Sequence, residues 1–258
     1  MPKKISLKQF LMRTGKFEKV YDAVKSIREG RITINNKITI NPNHFFNPKK
    51  ALVRFQGEKL KPVPKLYFLM NKPAELICQK SDKEKNIYDL IKKLNIWEEE
   101  KSSLFAVGRL DKETEGLLII TNDGKLSDLL MNPEKKIQKK YYATLEKPVD
   151  INKIKRLEHG VEIFINGKPY KTKKCKIKIT GEKEVYVTIV EGKKRQIRKM
   201  FESIGNNAVY LKRVSIGGLA LNKLKEGEIK QISREEIFIN LGFNDNKKVG
   251  INGNSDRT

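Results

Sequence analysis

At 258 residues the chain is long enough to bury one large core or two smaller ones. Its 55 Lys and Arg against 31 Asp and Glu leave a formal net charge of +24, a balance that attracts polyanions and makes association sensitive to salt. No apolar run reaches transmembrane length and the first ten residues carry no apolar signal segment, so a soluble protein with no membrane partner is expected.

Residues 1–61 hold 15 Lys/Arg against 4 Asp/Glu, which marks a separate binding module. Within it Leu7, Phe10, Leu11 and Thr14 follow helical spacing, as do Val20, Val24 and Ile27. Two short amphipathic helices are therefore predicted, split near Gly15, the second stopping at Gly30. Residues 31–34 and 37–40 alternate like strands around Asn35 and Asn36, and Asn tolerates the positive φ of a tight hairpin. A third strand is predicted over 51–55. This run, ISLKQFLMRTGKFEKVYDAVKSIREGRITINNK, resembles the small alpha-L RNA-binding domain over about 55 residues. It departs from that domain at Lys19 and Val20, where a Ser-Arg pair is usual, and at Asn35-Asn36, where Asn-Gly is usual. The exposed basic candidates for RNA contact there are Arg13, Lys16, Arg28 and Arg31.

The segment QGEKLKPVPK has little to bury, and its two prolines make 62–65 a semi-stiff linker. A second domain is predicted over 66–243, with a polar, disordered tail over 244–258. Strands are expected over 66–70, 104–107, 117–120, 140–145, 173–179, 184–190 and from Ala208. Helices are expected over 87–94, over 124–131 behind Asn122 and Asp123, and through Ile197, Met200, Phe201 and Ile204 to Gly205. A last helix through Leu241 opens at a capping-box pattern from Ser233 to Glu236. The mixed order of elements points to an α+β fold on a large mixed, mainly antiparallel sheet.

Cys78 and Cys175 are too few for a disulfide framework or a zinc cluster and fit a reducing cytoplasm. His44 and His159 stand apart from any ligand spacing, so no metal is expected.

Asp111 sits between two apolar strand-like runs, beside Arg109, on a connection that a rigid sheet would hold in place. An isolated loop aspartate is commonly a turn former or helix cap. Two further segments argue for chemistry: 139–143, with Tyr141 and Tyr142, and 191–198, where five basic residues fall between Lys193 and Lys199 with no acid among them. Cations are disfavoured at a helix start, so this cluster calls for bound phosphate or a nearby carboxylate such as Asp111. On a strand the two tyrosines must face opposite ways, and Tyr142 is assigned to the core.

The motif GRLDKETEGLLIITNDG, followed by EGKKRQIRKMF and LKRVSIGGLAL and preceded by NKP at 71–73, resembles the pseudouridine synthases of the RsuA-like family across roughly 66–242. Ala74 and Glu75 depart from the Lys-Gly usual after NKP. The resemblance implies isomerisation of a uridine in ribosomal RNA, free or in a ribosome-assembly intermediate. Uracil leaves the ribose through N1, turns and rejoins through C5, with no cofactor. It implies Asp111 as the catalytic aspartate, Arg198 as the arginine paired with it, and Tyr141 as the active-site tyrosine that stacks on the detached base. Arg109, Leu110, Lys193, Arg195, Gln196 and Ile197 are the expected substrate contacts, Ile197 either packing on the base or belonging to the helix's apolar stripe. The target base must be flipped out of folded RNA. A monomer without an obligate protein partner is expected. A non-catalytic RNA-binding factor would share every basic feature, and the intact Asp111, Tyr141 and Arg198 set argues against it. An RNA methyltransferase would need a Gly-rich nucleotide loop, and no G-x-G-x-x-G occurs.

Overall fold

A computed structural model of the protein describes residues 4–17 and 19–243, so the tail expected over 244–258 lies outside the described residues. The chain opens with β1 (Ile5–Ser6), α1 (Leu7–Met12), α2 (Val20–Arg28), β2 (Ile32–Ile34), β3 (Lys37–Ile38), β4 (Phe45–Phe46), β5 (Val53–Phe55) and β6 (Glu58–Lys59). Ser6 caps α1 reciprocally: its hydroxyl accepts from the Gln9 amide at 3.3 Å, and the Gln9 side chain accepts from the Ser6 amide at 3.3 Å. Gly30, at φ +70°, ends α2, and Asn35 (φ 50°) with Asn36 (φ 66°) turns the β2–β3 hairpin through two left-handed residues. The β1–β4 pair and β6, each strand two residues long, are too short to leave a periodic signal. Leu7, Phe10, Leu11, Ile27, Ile32 and Val53 close this unit's own core. The segment that follows is strapped to it, the Val63 amide donating to the Arg13 carbonyl at 2.9 Å.

The rest of the chain runs β7 (Tyr67–Lys72), α3 (Tyr88–Ile91), α4 (Glu98–Ser103), β8 (Phe105–Val107), β9 (Glu115–Thr121), α5 (Gly124–Met131), β10 (Lys139–Leu145), α6 (Ile151–His159), β11 (Glu162–Ile165) and β12 (Lys168–Lys171). It continues with β13 (Lys176–Ile179), β14 (Glu184–Ile189), α7 (Gln196–Glu202), β15 (Ala208–Ile216), β16 (Leu219–Ala220), β17 (Ile229–Gln231) and α8 (Arg234–Asn240). Nine strands form one sheet in the order β13-β14-β10-β15-β9-β7-β17, with β8 added on β9 and β16 on β15. Among the described residues β15–β9 is its one parallel pairing, as the α+β reading with a mainly antiparallel sheet requires.

Two apolar layers sandwich part of this sheet. On one face Tyr141, Val187, Leu211, Met70 and Leu118 pack with Ile154 and Leu157 of α6 and with Met200 and Phe201 of α7. On the other, Leu69, Leu117 and Ile119 pack with Leu126 and Leu130 of α5 and Ile237 of α8. The second layer covers β7 and β9 but stops short of β14, which corrects the assignment of Tyr142. Its ring belongs to neither core and lies half-buried on the outer face, 5.5 Å from the Tyr186 ring and 6.1 Å from the Tyr210 ring.

Several strand bounds move by one or two residues, and three further differences from expectation are local. The helix expected over 87–94 closes at Ile91 because Lys93 and Leu94 bond three residues back, to Leu90 and Ile91, tightening into turns. The strand expected from 173 begins at Lys176, since the Lys173 amide is drawn to Glu191 and the Cys175 amide to the Glu158 carbonyl. At α8 the Ser233 hydroxyl accepts from the Glu236 amide at 3.0 Å, and the helix ends at Asn240.

Candidate active site

Asp111 lies on the crossing from β8 to β9. Gly108 turns the chain at φ +70°, Leu110 then drops into the core at 6% exposure, and its amide donates to Cys78 Sγ at 3.3 Å. With Leu110 anchored inward, Asp111 is left half-buried and lines an open cleft. The main-chain carbonyl of Asp111 accepts from Thr114 at 3.0 Å to close the turn, while among the described residues its carboxylate caps nothing.

The turn is held from below by Lys72. That side chain is fully buried, and its ammonium donates to the carbonyls of Pro73 (2.8 Å), Lys112 (3.1 Å) and Thr114 (3.0 Å). Burial depresses its pKa, with nearby Cys78 and Glu115 among the groups opposing the shift. Three acceptors on one ammonium use every proton it has, so the loop carrying Asp111 is fixed to the end of β7.

The opposite wall is the start of α7, and its hub is Glu191, 7% exposed. Its carboxylate accepts from the Tyr170 hydroxyl (2.5 Å), the Lys173 amide (2.9 Å) and Gln196 Nε2 (2.6 Å). The bond to Glu191, followed by burial, pushes the Tyr170 phenol up to about 12. Gln196 in turn accepts from the Lys193 amide at 3.0 Å, and the Lys193 ammonium lies 4.9 Å from the centre of the Tyr170 ring. Arg195 takes a left-handed backbone (φ 53°) to start the helix and pairs with Glu113 at 3.0 Å. A bond from its own amide, then the charges of Arg195 and Arg198, hold Glu113 below the usual carboxylate range. Among the described residues the ion pair that engages the basic cluster is Arg195 with Glu113, not with Asp111.

Between these walls is a cleft of about 690 Å³, within the range of a small-ligand site. Asp111, Tyr141, Arg109, Leu110, Lys193, Arg195, Gln196 and Ile197 all line it. Ile197 does so while also belonging to the core. Basic side chains outnumber the lining carboxylates, Asp111 and Glu191, by eight to two, so the cleft suits an anionic ligand.

Arg198 is placed differently from expectation. Its Nη1 donates to the Ala208 carbonyl, its buried Nε has no partner, and among the described residues no ion pair joins it to Asp111. The anchor on β15 draws the guanidinium into the wall, from which its charge still reaches the Asp111–Thr114 turn at Glu113. Arg13, Lys16, Arg28 and Arg31 are exposed on the small unit; Lys16 pairs with Glu58 at 3.8 Å and Arg31 with Glu29 at 3.0 Å.

Sequence reasoning missed Lys72, Lys139, Tyr170, Glu191 and Arg213. Lys72 and Arg213 lay inside the quoted motifs NKP and LKRVSIGG, and a cation within an apolar strand was the signal available. Among the described residues no three His, Cys, Asp or Glu side chains gather as a metal ion would need, and no helix is long and apolar enough to cross a membrane.

Residues 66–203 match the family described as RNA pseudouridylate synthase. The chain is 34% identical to YtzG of Bacillus subtilis, an uncharacterised RNA pseudouridine synthase, over 83% of this chain and 89% of that one. It is 32% identical to ribosomal small subunit pseudouridine synthase A of Escherichia coli strain K12, over 83% of this chain and 91% of the relative. A crystal structure of a pseudouridylate synthase superposes with a TM-score of 0.63 at 30% identity, covering 90% of this chain and 98% of the other. With Asp111 and Tyr141 in one basic cleft, and relatives that match nearly end to end, the chain belongs to the RNA pseudouridylate synthase family and is an RNA-modifying isomerase.

Proposed function

We propose that the protein converts a specific uridine of ribosomal RNA to pseudouridine, with Asp111 as the nucleophilic or charge-stabilising carboxylate. The observation that supports this most directly is the sharing of one cleft by Asp111 and Tyr141, lined mainly by cations. Ribosomal RNA is favoured over other RNA because the Escherichia coli relative is named for the small ribosomal subunit.

The uridine is flipped from the folded RNA into the cleft, at a cost of a few kcal/mol. Phosphate contacts from Arg109, Lys193 and Arg195 offset that cost. Tyr141, 8% exposed, offers its ring to the base, and Leu110 and Ile197 supply apolar walls. Arg198, anchored behind the wall, reaches the Asp111 turn through its field at Glu113, and among the described residues it makes no ion pair with the Asp111 carboxylate. Residues 1–61 bring RNA to the cleft as a separate module through Arg13, Lys16, Arg28 and Arg31, and the linker over 62–65 sets their reach. The modification contributes to ribosome maturation in the cytoplasm, by a monomer that needs no protein partner or cofactor.

Tritium release from ribosomal RNA carrying uridine labelled at carbon 5 tests this reading. Wild-type protein is expected to release tritium without additions, and Asp111→Asn to fall to background while its RNA affinity stays within about twofold. Normal turnover by Asp111→Asn would overturn the role of Asp111. No release from any ribosomal RNA would overturn the substrate.

A further inference from the structure

Arg213 is a buried cation that the roles above leave unused. It is the direct cross-strand partner of Tyr141 in the β10–β15 ladder, so its guanidinium stands beside the ring that faces the cleft. It is 3% exposed, its Nε donates to the Leu117 carbonyl at 2.7 Å, and its buried Nη2 has no partner. Leaving a guanidinium N–H dry and unbonded costs more than leaving an ordinary donor so. Lys139 stands two residues before Tyr141 on the same strand, on the same side, and also lines the cleft. Burial and then the charge of Arg213 lower its pKa, which shows the two cations to be close enough to repel. Among the described residues no carboxylate pairs with either. Two adjacent cations without a counter-ion, both lining the cleft and one with an unpartnered buried donor, form a seat for negative charge.

Resting on the reading of this cleft as the uridine site, we propose that Arg213 and Lys139 hold a carbonyl oxygen of the target uracil and stabilise the negative charge the base gains when it leaves the ribose. As the bond from ribose C1′ to N1 breaks, its electron pair passes to the base and spreads onto O2 and O4. The base turns about the axis through N3 and C6, which exchanges N1 with C5 and also exchanges O2 with O4. A seat that grips one oxygen before the turn therefore meets the other after it. C5 then bonds to C1′, the proton on C5 is lost, N1 gains one, and nothing is oxidised or reduced. The rim cations Arg109, Lys193 and Arg195 are left for phosphates, whereas the seat lies beside Tyr141, where the edge of a stacked base arrives.

The test compares single-turnover conversion of uridine with that of 5-fluorouridine at the target position, followed as loss of the parent nucleoside from nuclease digests. Fluorine makes the departing uracil a better-stabilised anion, so it depends less on the seat. Arg213→Gln is expected to slow uridine conversion by about 10²- to 10³-fold, the range for removing one donor to a developing charge. For fluorouridine the loss should be at least tenfold smaller, with RNA affinity within twofold of wild type. Because Arg213→Gln also removes the bond to Leu117, Lys139→Gln serves as the second variant, with a smaller loss and the same dependence on the base. Equal losses for the two bases in both variants, or losses confined to RNA affinity, would overturn the proposal. If wild type converts neither base, the reading of the cleft fails first and the two failures stay distinct.

Discussion

Gly116 lies so close to the backbone of Arg213 that a β-carbon on it would come within 2.2 Å of the Arg213 carbonyl oxygen. The contact joins β9 to β15 in parallel and thereby sets the Asp111 loop, at the start of β9, beside the strand that neighbours Tyr141. Gly116 also sits at φ +106°, which side-chain-bearing residues avoid. Gly116→Ala is therefore expected to cost about 2 to 4 kcal/mol, combining backbone strain with a forced strand shift. Urea unfolding monitored by circular dichroism measures it, and an unchanged midpoint would show that β15 can retreat freely.

A second expectation concerns Lys72, whose ammonium ties three carbonyls under the turn that carries Asp111. Lys72→Met keeps the length and removes the donors. The three carbonyls lose their partner while the desolvation cost of a buried charge disappears, so the net loss of stability is set at about 1 to 3 kcal/mol. Activity should suffer more, because the Asp111 turn loses its fixed position; kcat is expected to fall at least about tenfold with KM nearly unchanged. A variant with wild-type kcat would show that the turn is held by its other bonds alone.

These two residues also mark where the sequence is legible and where it is not. The turn bearing Asp111 was readable because two apolar runs bracket it, and the α2 stop, the Asn35-Asn36 hairpin and the Asp123 start of α5 were readable from single residues with strong backbone preferences. Lys72 was not, since its burial depends on carbonyls of Lys112 and Thr114 brought from forty residues away. The β11–β12 hairpin was missed because most of its residues are exposed and Pro169 breaks the strand pattern. The α6 helix did leave a signal, Asp150 as a cap with Ile154 and Leu157 three apart. Tyr142 was assigned to the core because a strand's alternation tells which residues share a face, not whether a layer covers that face.

The Tyr170–Glu191 bond predicts a pH effect whose sign is fixed. In the unfolded chain a tyrosine loses its proton near pH 10, whereas Tyr170 in the fold keeps it up to about 12. Between those values the folded state binds more protons than the unfolded one, so the contribution is whole below about pH 10 and is lost as pH rises towards 12. Tyr170→Phe removes this part of the slope, and the difference between wild type and variant in urea unfolding across that range isolates it from the lysines that titrate alongside. A difference that does not change with pH would mean that Glu191 does not hold the phenol.

The small N-terminal unit offers the last expectation, which rests on which of its cations are already engaged. Arg31 has Glu29 at 3.0 Å and Lys16 has Glu58 at 3.8 Å, so binding a phosphate there must compete with a carboxylate. Arg13 and Arg28 are exposed, and among the described residues no ion pair engages them. If this unit grips RNA backbone, these two should release counter-ions most fully. Arg13→Gln and Arg28→Gln in the full chain are each expected to flatten the slope of log affinity against log salt by about 0.7 to 0.9, the value for one phosphate contact. Arg31→Gln should change the slope less, because the arginine it removes was already shared with Glu29. Filter binding to ribosomal RNA over a salt series measures all three, and slopes that stay at the wild-type value would assign this unit a role other than phosphate recognition.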